Sequence, residues 1–426
     1  MAKASPARMA AFEVLRLVAD GKGHSDELLH GARTAGLSAE DRNLATALVM
    51  GVLRWQIALD ARIGALLARP GQRLAEPVAI ALRMGTFQLL HMDRIPDHAA
   101  LSESVELCKA AGEEHAAGMV NAVLRKVVAS RTASRKLPEA ESVPQFAERL
   151  AHPAWLVERW VRAYGREVAV AICEYGQREP EPGRMFPADA EVAAEDTVVM
   201  DDGSRLVAEI AAAAMPSVEG RAARVWDCCA APGGKTLVLA KRLAAAEILA
   251  SDVSARRIAQ TAARLRRYAF AAKAKTAVMD STTAVSGHEL FDLVLCDVPC
   301  SGTGTLARNP EIRHRLRPEE FVRQAARQGA ILRGALGRLA PGGRIVYATC
   351  SLEAEENERV VEAVAAEMGM RRVPVGPMIE RLAESGALGR EVGAMLRETA
   401  MRNGALRTLP GVHPCDGFFA VVLERG

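Results

Sequence analysis

The sequence predicts a helical N-terminal region followed by an open α/β sheet, and two patterns indicate this. From residue 5 to about residue 132, apolar residues recur at spacings of three and four, as they do on one face of a helix. After about residue 195, short apolar runs alternate with helical segments, which is typical of a mostly parallel sheet with helices packed against it. A chain of 426 residues is also long enough for two or three domains.

The N-terminal region is expected to contain five to seven helices. The segment ARMAAFEVLRLVA keeps the helical spacing, and Ser38 with Asp41 three residues later predicts a helix start of the capping-box kind. Proline then becomes frequent, which indicates a linker or a small irregular subdomain. The predicted domains are a helical domain at 1–135, a linker with a shortened intermediate subdomain at 136–200, and a sheet domain at 201–426.

Composition is that of a soluble globular protein, since 50% of the residues are hydrophobic and 25% are charged. No run of about 18 uncharged apolar residues is present, so no membrane span is predicted. Glu13 and Arg16 interrupt the first apolar stretch, so we expect no signal peptide and a cytoplasmic location. The 8 cysteines contain no C-x-x-C pair, and no metal site is expected.

Basic residues are concentrated in three places, although the net charge is only +3. Residues 124–136 contain five basic residues and no acid, and residues 255–275 contain seven and no acid. Residues 307–338 add eight arginines. Each cluster taken singly is compatible with an ordinary solvated helix face. Three clusters around one site favour a polyanionic partner such as a nucleic acid.

The sheet domain contains acidic residues at the ends of its strand candidates. The strand candidates are ARVWD, EILASD, TAVMD, LVLCD, RIVYAT and, near the C-terminus, GFFAVVLE. Four of them end in Asp227, Asp252, Asp280 and Asp297. Because ligands of an open α/β sheet lie over the carboxyl ends of the strands, these carboxylates predict a binding site there.

The loop after the first strand candidate, DCCAAPGGKT, is rich in small residues and leads into a helix. Small residues let backbone amides approach a ligand, and a helix start offers a positive end to an anionic group. The loop is neither a G-x-G-x-x-G motif nor a P-loop. Asp252 lies about 20 residues beyond it, where a carboxylate meets the ribose of an adenosine-containing cofactor. NAD is an alternative that this loop fits poorly.

Two cysteines follow strand candidates directly, Cys300 in DVPCS and Cys350 in YATCS. In a sheet wound outward from its first strand, the fourth and fifth strands are neighbours about 4.8 Å apart, so both thiols are expected in one site. A thiolate is a strong nucleophile, and a nearby cation such as Lys235 favours it. Cys296 lies inside its strand and is interpreted as a core residue. Strand order does not distinguish which thiol attacks.

Long blocks of the sequence resemble the RNA 5-methylcytosine methyltransferases of the Sun/RsmB type. The blocks are DCCAAPGGKT, DVPCSGTGTLARNPEIR, YATCSLEAEENERVV and DGFFAVVLE, which together span about residues 220–426. The helical region resembles the NusB-like RNA-binding domain through GVLRW, LRMGTFQLLHMDRIPDHAALSESVELCK and GMVNAVLRK. The resemblance implies an all-α NusB-like domain and a Rossmann-like α/β methyltransferase domain with S-adenosylmethionine as its methyl donor.

The resemblance also implies roles for particular residues. The cofactor loop is implied to be Cys229, Ala230, Ala231, Pro232, Gly233, Gly234 and Lys235. The other implied cofactor-binding residues are Asp252 at the ribose, Asp280 near the adenine, Asp297 at the methyl-transfer end, and Arg257. Cys350 is implied to be the nucleophile and Cys300 to assist product release, while Asp297 and Lys235 assist the chemistry.

The implied reaction is methylation of C5 of a cytosine in RNA, with small-subunit (16S) ribosomal RNA as the expected substrate and a monomer as the expected state. The target base must be single-stranded or flipped out of a helix. Residues 176–200 are shorter than the RNA-contacting subdomain that family members commonly carry, so the RNA target is left open. The alternatives are a non-catalytic NusB-like RNA-binding or assembly factor, and a dinucleotide-dependent oxidoreductase.

Overall fold

The computed structural model describes residues 4–69, 71–131, 141–181, 183–186, 198, 200–283 and 289–426. The chain forms two compact units. The helical unit takes in Met1–Glu179 with Leu306–Arg315, and the sheet unit takes in Pro180–Thr305 with Leu316–Gly426. Two predicted features fall partly outside the described residues: residues 132–136 of the first basic cluster, and residues 182, 187–197 and 199 of the intermediate subdomain. The domain boundaries predicted at 135 and 200 stay predictions.

The α-helices of the described residues are numbered in chain order. They are α1 Pro6–Ala19, α2 Ser25–Leu29, α3 Ala32–Ala35, α4 Ala39–Gly64, α5 Glu76–His91, α6 Asp97–Ala110, α7 Ala117–Ala129, α8 Val143–Arg149, α9 Ala154–Tyr164, α10 Arg166–Gly176, α11 Asp202–Ala213, α12 Gly234–Arg242, α13 Ala255–Leu265, α14 Ile312–Arg315, α15 Pro318–Leu336, α16 Glu358–Met368, α17 Gly376–Glu384 and α18 Arg390–Thr399. Helices α1–α7 agree with the five to seven predicted for the N-terminal region.

The helical unit packs around α4, its longest helix. Ser38 caps α4, as predicted, by accepting a hydrogen bond from the Asp41 amide at 3.1 Å. Helix α4 is long and apolar enough to cross a membrane by length and composition alone. Its residues Leu48, Val52 and Leu59 are buried in the core of the helical unit, and a core helix of a globular protein meets the same criteria.

A segment from later in the chain, Leu306–Arg315, is part of the helical unit. Arg313 is fully buried there, and its guanidinium donates hydrogen bonds at 3.0 Å to the carbonyl oxygens of Arg54, Ala151 and Gly176. Burial lowers the pKa of Arg313 to about 9, because the cation loses its hydration. The three carbonyl dipoles therefore replace water around this guanidinium, and Arg313 joins three separate parts of the helical unit.

Among its described residues, the sheet unit has one sheet of nine strands. They are β1 Arg224–Asp227, β2 Glu247–Asp252, β3 Ala274–Val278, β4 Phe291–Asp297, β5 Leu339–Thr349, β6 Met370–Val373, β7 Met401–Arg402, β8 Ala405–Arg407 and β9 Phe419–Arg425. Their order is β3-β2-β1-β4-β5-β9-β8-β7, with β6 also paired to β9. Strands β1–β5 are parallel, and β9 is antiparallel to β5. The predicted α/β sheet is thus confirmed.

Both faces of the sheet are covered, which explains why its strands read as continuous apolar runs. Alternate residues point to opposite faces, so Val225 and Leu293 pack in one core while Trp226 and Val294 pack in the other. Helices α11, α12 and α17 contribute to the first core, and α15 and α16 contribute to the second. The carboxyl ends of β1–β5 therefore meet at one edge, where the loops that follow them gather.

Candidate active site

Cys300 and Cys350 lie next to each other at the carboxyl edge of the sheet. Strands β4 and β5 are parallel neighbours with Asp297 opposite Ala348, so the loops after them begin side by side. The two Sγ atoms are 3.3 Å apart, and both residues are half-buried. The amide of Gly304 donates to the carbonyl of Cys350 at 2.9 Å, which joins the two loops. The predicted convergence of the two thiols is therefore observed.

Gly304 allows these loops to approach so closely. A Cβ at this position would lie 2.2 Å from the carbonyl oxygen of Gly417 and 2.9 Å from that of Cys350. Both distances are shorter than real Cβ contacts. The last position of the SGTG segment after Cys300 therefore requires glycine, because any side chain there would collide with the neighbouring main chain.

Lys235 and Asp297 form an ion pair beside the thiols. The Nζ atom lies 2.7 Å from Asp297 Oδ2, donates to the Ser204 hydroxyl at 2.6 Å, and is 5.4 Å from the centroid of the Phe418 ring. Burial would lower the pKa of Lys235, but the charge and hydrogen bond of Asp297, with smaller contributions from Cys350 and Asp227, raise it. Lys235 is therefore a stable ammonium within electrostatic range of Cys350.

The small-residue loop between β1 and α12 forms a cavity with an empty volume of about 400 Å³. Its lining residues are Met200, Ser204, Asp227, Cys229, Ala230, Ala231, Pro232, Gly234, Lys235, Arg264 and Asp297. Gly233 turns the chain into α12 with φ +92°, a left-handed conformation that favours glycine. A Cβ there would also lie 2.9 Å from the Thr261 methyl group. The cavity is therefore bounded by small side chains and main chain on the side of the loop.

Asp227 lines this cavity; the sequence analysis expected it at the binding edge of the sheet but gave it no particular role. The side chain is fully buried, and Oδ2 accepts a hydrogen bond from the Thr236 hydroxyl at 2.7 Å. Burial, opposed by Thr236, raises the pKa of Asp227 to about 7. Within the described residues Oδ1 has no hydrogen-bond partner. The carboxyl group can therefore accept a donor from a molecule held in the cavity.

The remaining predicted cofactor residues lie around this loop but do not line the cavity as the described residues define it. Asp252 ends β2 and is buried, and its Oδ1 accepts from the Ser254 amide at 2.9 Å. Arg257 lies between Asp252, at 3.4 Å, and the carbonyl of Ala231, to which it donates at 2.9 Å. Arg257 thus connects the carboxyl end of β2 to the loop between β1 and α12.

Asp280 is further from a strand end than the sequence suggested. Strand β3 ends at Val278, and Asp280 is exposed in the turn that follows. Its Oδ1 accepts from the amide and the hydroxyl of Thr282, at 2.9 and 2.7 Å, and these bonds lower the pKa of Asp280. Asp280 therefore belongs to a local turn beyond the end of the strand, and the apolar run TAVMD did not reveal this turn.

Glu356 is a buried carboxylate behind the two thiols that sequence reasoning missed. Its oxygens accept hydrogen bonds from the Ser301 amide at 2.9 Å, from the Ser351 hydroxyl at 2.5 Å, from the Gln328 amide at 3.1 Å, and from the Ser301 hydroxyl. Burial raises the pKa of Glu356, although the bonds from the two serines oppose this. The available signal was the repeated Cys-Ser pair after β4 and β5.

The two thiols have different electrostatic surroundings. The pKa of Cys300 is well above its ordinary value because of the contact with Cys350, burial, and the charges of Cys350 and Glu356. Cys350 instead lies in the field of the Lys235 ammonium. An anion is therefore disfavoured on the Cys300 sulfur.

A parallel sheet with a small-residue loop after its first strand, an acid after its second and an antiparallel strand beyond β5 is typical of the Rossmann-like methyltransferases. The family model for the 16S rRNA methyltransferase RsmB/F matches residues 217–424, and the NusB family model matches residues 5–129. The chain belongs to the RsmB/F family of 16S rRNA methyltransferases and carries a NusB-like N-terminal region.

Relatives match over nearly the full chain. The ribosomal RNA small subunit methyltransferase B of Xanthomonas campestris is 31% identical, over 98% of this chain and 97% of its own. The probable ribosomal RNA small subunit methyltransferase B of Bacillus subtilis is 30% identical, over 99% of both chains. The crystal structure of PH0851 has a TM-score of 0.73 over 100% of both chains at 20% identity, which shows the common fold.

S-adenosylmethionine is the methyl donor of this methyltransferase, as predicted. The cavity fits this cofactor on two observations. First, the loop from Cys229 to Gly234 lines the cavity with main-chain groups and small side chains. Second, the carboxyl group of Asp227 has a buried oxygen without a hydrogen-bond partner among the described residues. That oxygen can accept from the amino group of the cofactor. Membership of this family disfavours the dinucleotide-dependent oxidoreductase.

Proposed function

We propose that the protein transfers a methyl group from S-adenosylmethionine to C5 of a cytosine in small-subunit ribosomal RNA, through a covalent bond between Cys350 and C6. The observation that supports this most is the pair of thiols 3.3 Å apart beyond neighbouring strands, beside the Lys235–Asp297 ion pair and the cofactor loop. The names of the relatives support ribosomal RNA as the substrate.

Cytosine C5 is too weak a nucleophile to take a methyl group directly, so the base must first be activated. The Cys350 thiolate adds to C6, a bond forms between Sγ and C6, and the electrons of the C5–C6 double bond move towards N3. The Lys235 ammonium, held 2.7 Å from Asp297, neutralises this charge by supplying a proton at N3. C5 is now nucleophilic like an enamine carbon. When bound, S-adenosylmethionine supplies an electrophilic methyl group on its sulfonium.

Release of the product requires loss of the C5 proton and of the sulfur at C6. The C5–H bonding electrons re-form the C5–C6 double bond while the bond between C6 and Cys350 breaks. In the same step Cys300, whose Sγ is 3.3 Å from that of Cys350, transfers its thiol proton to the departing Cys350 sulfur and receives the C5 proton. The proton at N3 returns to the Lys235–Asp297 pair, and one proton leaves when Cys350 ionises again. Cys300 thus assists release.

The different surroundings of the two thiols support Cys350 as the attacking group. The Lys235 ammonium acts on Cys350, whereas the contact with Cys350, burial and the charge of Glu356 raise the pKa of Cys300. The alternative, in which the cysteine after the proline attacks as in the DNA cytosine methylases, would place the nucleophile beside a carboxylate. The electrostatics therefore favour the assignment that the resemblance implied.

Exposed basic residues of the sheet unit support an RNA partner. Arg256, Arg266, Arg267 and Lys273 are all exposed on and just beyond α13. These side chains can neutralise phosphates of the RNA while the target base is flipped out of its helix. We expect log-linear loss of RNA affinity with salt, with a smaller slope when two of them are replaced by glutamine.

We further propose that the NusB-like region contributes RNA affinity rather than chemistry, with the domain limits predicted above. Arg125 and Lys126 are exposed on α7 and belong to the first basic cluster. Because Leu306–Arg315 packs in the helical unit, deleting residues 1–135 would remove its partners, and charge variants are the cleaner test. Arg125→Gln should reduce the salt slope of RNA binding and leave single-turnover methyl transfer at saturating RNA unchanged.

The reaction is tested by incubating the protein with unmethylated 16S ribosomal RNA and S-adenosylmethionine, followed by bisulfite sequencing. One cytosine protected from conversion, absent when Cys350→Ala replaces the parent protein, is the expected result. Methylation found only at another atom or another base would overturn the C5 assignment. Binding of RNA without any methyl transfer would instead support the non-catalytic assembly factor.

A further inference from the structure

Glu356 connects the two loops that carry the thiols. Ser301 directly follows Cys300, and Ser351 directly follows Cys350. The hydroxyl oxygens of the two serines are 3.1 Å apart, and each hydroxyl donates to Glu356 Oε2. One buried carboxylate therefore holds the residue after each thiol.

Gln328 and Tyr347 also hold Glu356 in position. Gln328 on α15 donates to Glu356 Oε1 at 3.1 Å and to the Pro299 carbonyl at 3.0 Å. The Tyr347 hydroxyl donates to the main-chain carbonyl of Glu356 at 2.6 Å. With four donors on its two oxygens, the side chain is satisfied as an anion, and its position is determined by three separate elements.

The charged and titratable groups around the thiols are few. Cys300 faces Cys350, the Glu356 carboxylate and the Tyr347 phenol, whose own pKa is well above its ordinary value, mainly because of burial. Cys350 faces Cys300 and the Lys235 ammonium, which is itself paired with the Asp297 carboxylate at 2.7 Å. The Glu356 carboxylate thus stands on the Cys300 side of the pair, and the Lys235–Asp297 ion pair stands on the Cys350 side.

We propose that Glu356 is a positioning residue that holds the two thiols together and keeps Cys300 as a neutral thiol, so that Cys350 alone becomes the nucleophile. This inference rests on the proposed function, because it explains how two adjacent cysteines acquire different roles. A second anion 3.3 Å from the Cys350 thiolate would oppose its formation, and a neutral Cys300 retains the proton that the departing sulfur needs.

Glu356→Gln tests the charge while it preserves the shape of the side chain. Glu355→Gln is the matched control, since Glu355 is the adjacent residue and lies 3.6 Å from Arg359 at the surface of the unit. Both variants and the parent protein are alkylated with iodoacetamide across a pH series, without RNA or cofactor, and each cysteine is quantified by mass spectrometry.

In Glu356→Gln the alkylation midpoint of Cys300 should fall by about 1 pH unit, because one like charge is removed while the contact with Cys350 and burial, the larger causes of the raised pKa, remain. Glu355→Gln should leave the midpoint where the parent has it. An unchanged midpoint in a folded Glu356→Gln protein would overturn the inference.

Ser301→Ala separates position from charge and remains informative if Glu356→Gln does not fold. It removes the hydroxyl bond to Glu356 and the 3.1 Å contact with the Ser351 hydroxyl but retains the carboxylate, so the Cys300 midpoint should stay within about half a pH unit of the parent. Methyl transfer should slow by about tenfold, because one hydrogen bond to a charged group is lost. A Cys300 midpoint that falls as far as in Glu356→Gln would contradict a charge effect.

Methyl transfer that persists in Cys350→Ala would instead overturn the proposed function. The alkylation midpoints are measured without RNA or cofactor, so they do not depend on that result.

Discussion

Replacing Lys235 with methionine removes the only charge of that side chain and retains most of its length. The ammonium makes three contacts, at 2.7 Å with Asp297, at 2.6 Å with Ser204 and at 5.4 Å with the Phe418 ring. Asp297 then loses its counter-ion while its side chain is only 23% exposed. We expect the free energy of unfolding to fall by about 2 kcal/mol, between the values for exposed and for buried ion pairs.

The loss in rate should exceed the loss in stability. Without the ammonium, neither the Cys350 thiolate nor the charge developing at N3 has its neighbouring cation, and one such electrostatic contact contributes about 3 kcal/mol to a transition state. That corresponds to a fall in single-turnover methyl transfer of about 10²-fold. Lys235→Arg keeps the charge and should retain more activity than Lys235→Met.

The assay is single-turnover transfer of a radioactive methyl group to 16S ribosomal RNA, measured with saturating cofactor. Urea denaturation of the same preparations reports the free energy of unfolding. A Lys235→Met protein that folds normally and transfers methyl within about threefold of the parent rate would refute the role given to the ammonium.

Three further perturbations follow from the described contacts. Arg313→Leu should lower the free energy of unfolding by about 3–5 kcal/mol in urea, because buried carbonyl groups lose their donor, whereas exposed Arg323→Leu should change it by less than about 0.5 kcal/mol. Asp252→Ala should weaken S-adenosylmethionine binding by at least about tenfold in calorimetry, and an unchanged affinity would remove Asp252 from the site. The pKa of Asp227, raised to about 7 from 3.8, makes the folded state bind a proton that the unfolded state releases, so stability should fall as pH rises from about 4 to 7. Asp227→Asn should flatten that fall in a series of thermal unfolding curves.

Much of the sheet and its site could be predicted, because the order of the strands in the sheet determines which strand-end residues are neighbours. Once β4 and β5 are parallel neighbours, the residues after them must meet, and Cys300 and Cys350 do so. The loop from Cys229 to Lys235 was likewise predictable, since it follows the central strand and begins a helix. Apolar periodicity is a local property and was sufficient to place these strand ends, whereas it misplaced the end of β3, which lies at Val278 and not at Asp280.

Glu356 and Arg313 could not be predicted, because their partners are set by tertiary contacts. The donors to Glu356 come from two strand-end loops and from α15, and the most distant donor lies 55 residues from Glu356 in the sequence. Arg313 binds main-chain carbonyls, and any residue type can supply a carbonyl, so no sequence pattern marks its partners. Within the basic cluster 307–338 it looked like one more RNA-facing arginine, although it is buried.

The covalent bond between protein and RNA tests the central claim most directly. Parent protein, Cys300→Ala and Cys350→Ala are each incubated with 16S ribosomal RNA and S-adenosylmethionine and then separated by denaturing electrophoresis. If Cys350 attacks C6 and Cys300 assists release, Cys300→Ala should accumulate a protein–RNA adduct, while Cys350→Ala forms none and transfers no methyl group. An adduct that accumulates in Cys350→Ala and not in Cys300→Ala would contradict the assignment of the two thiols.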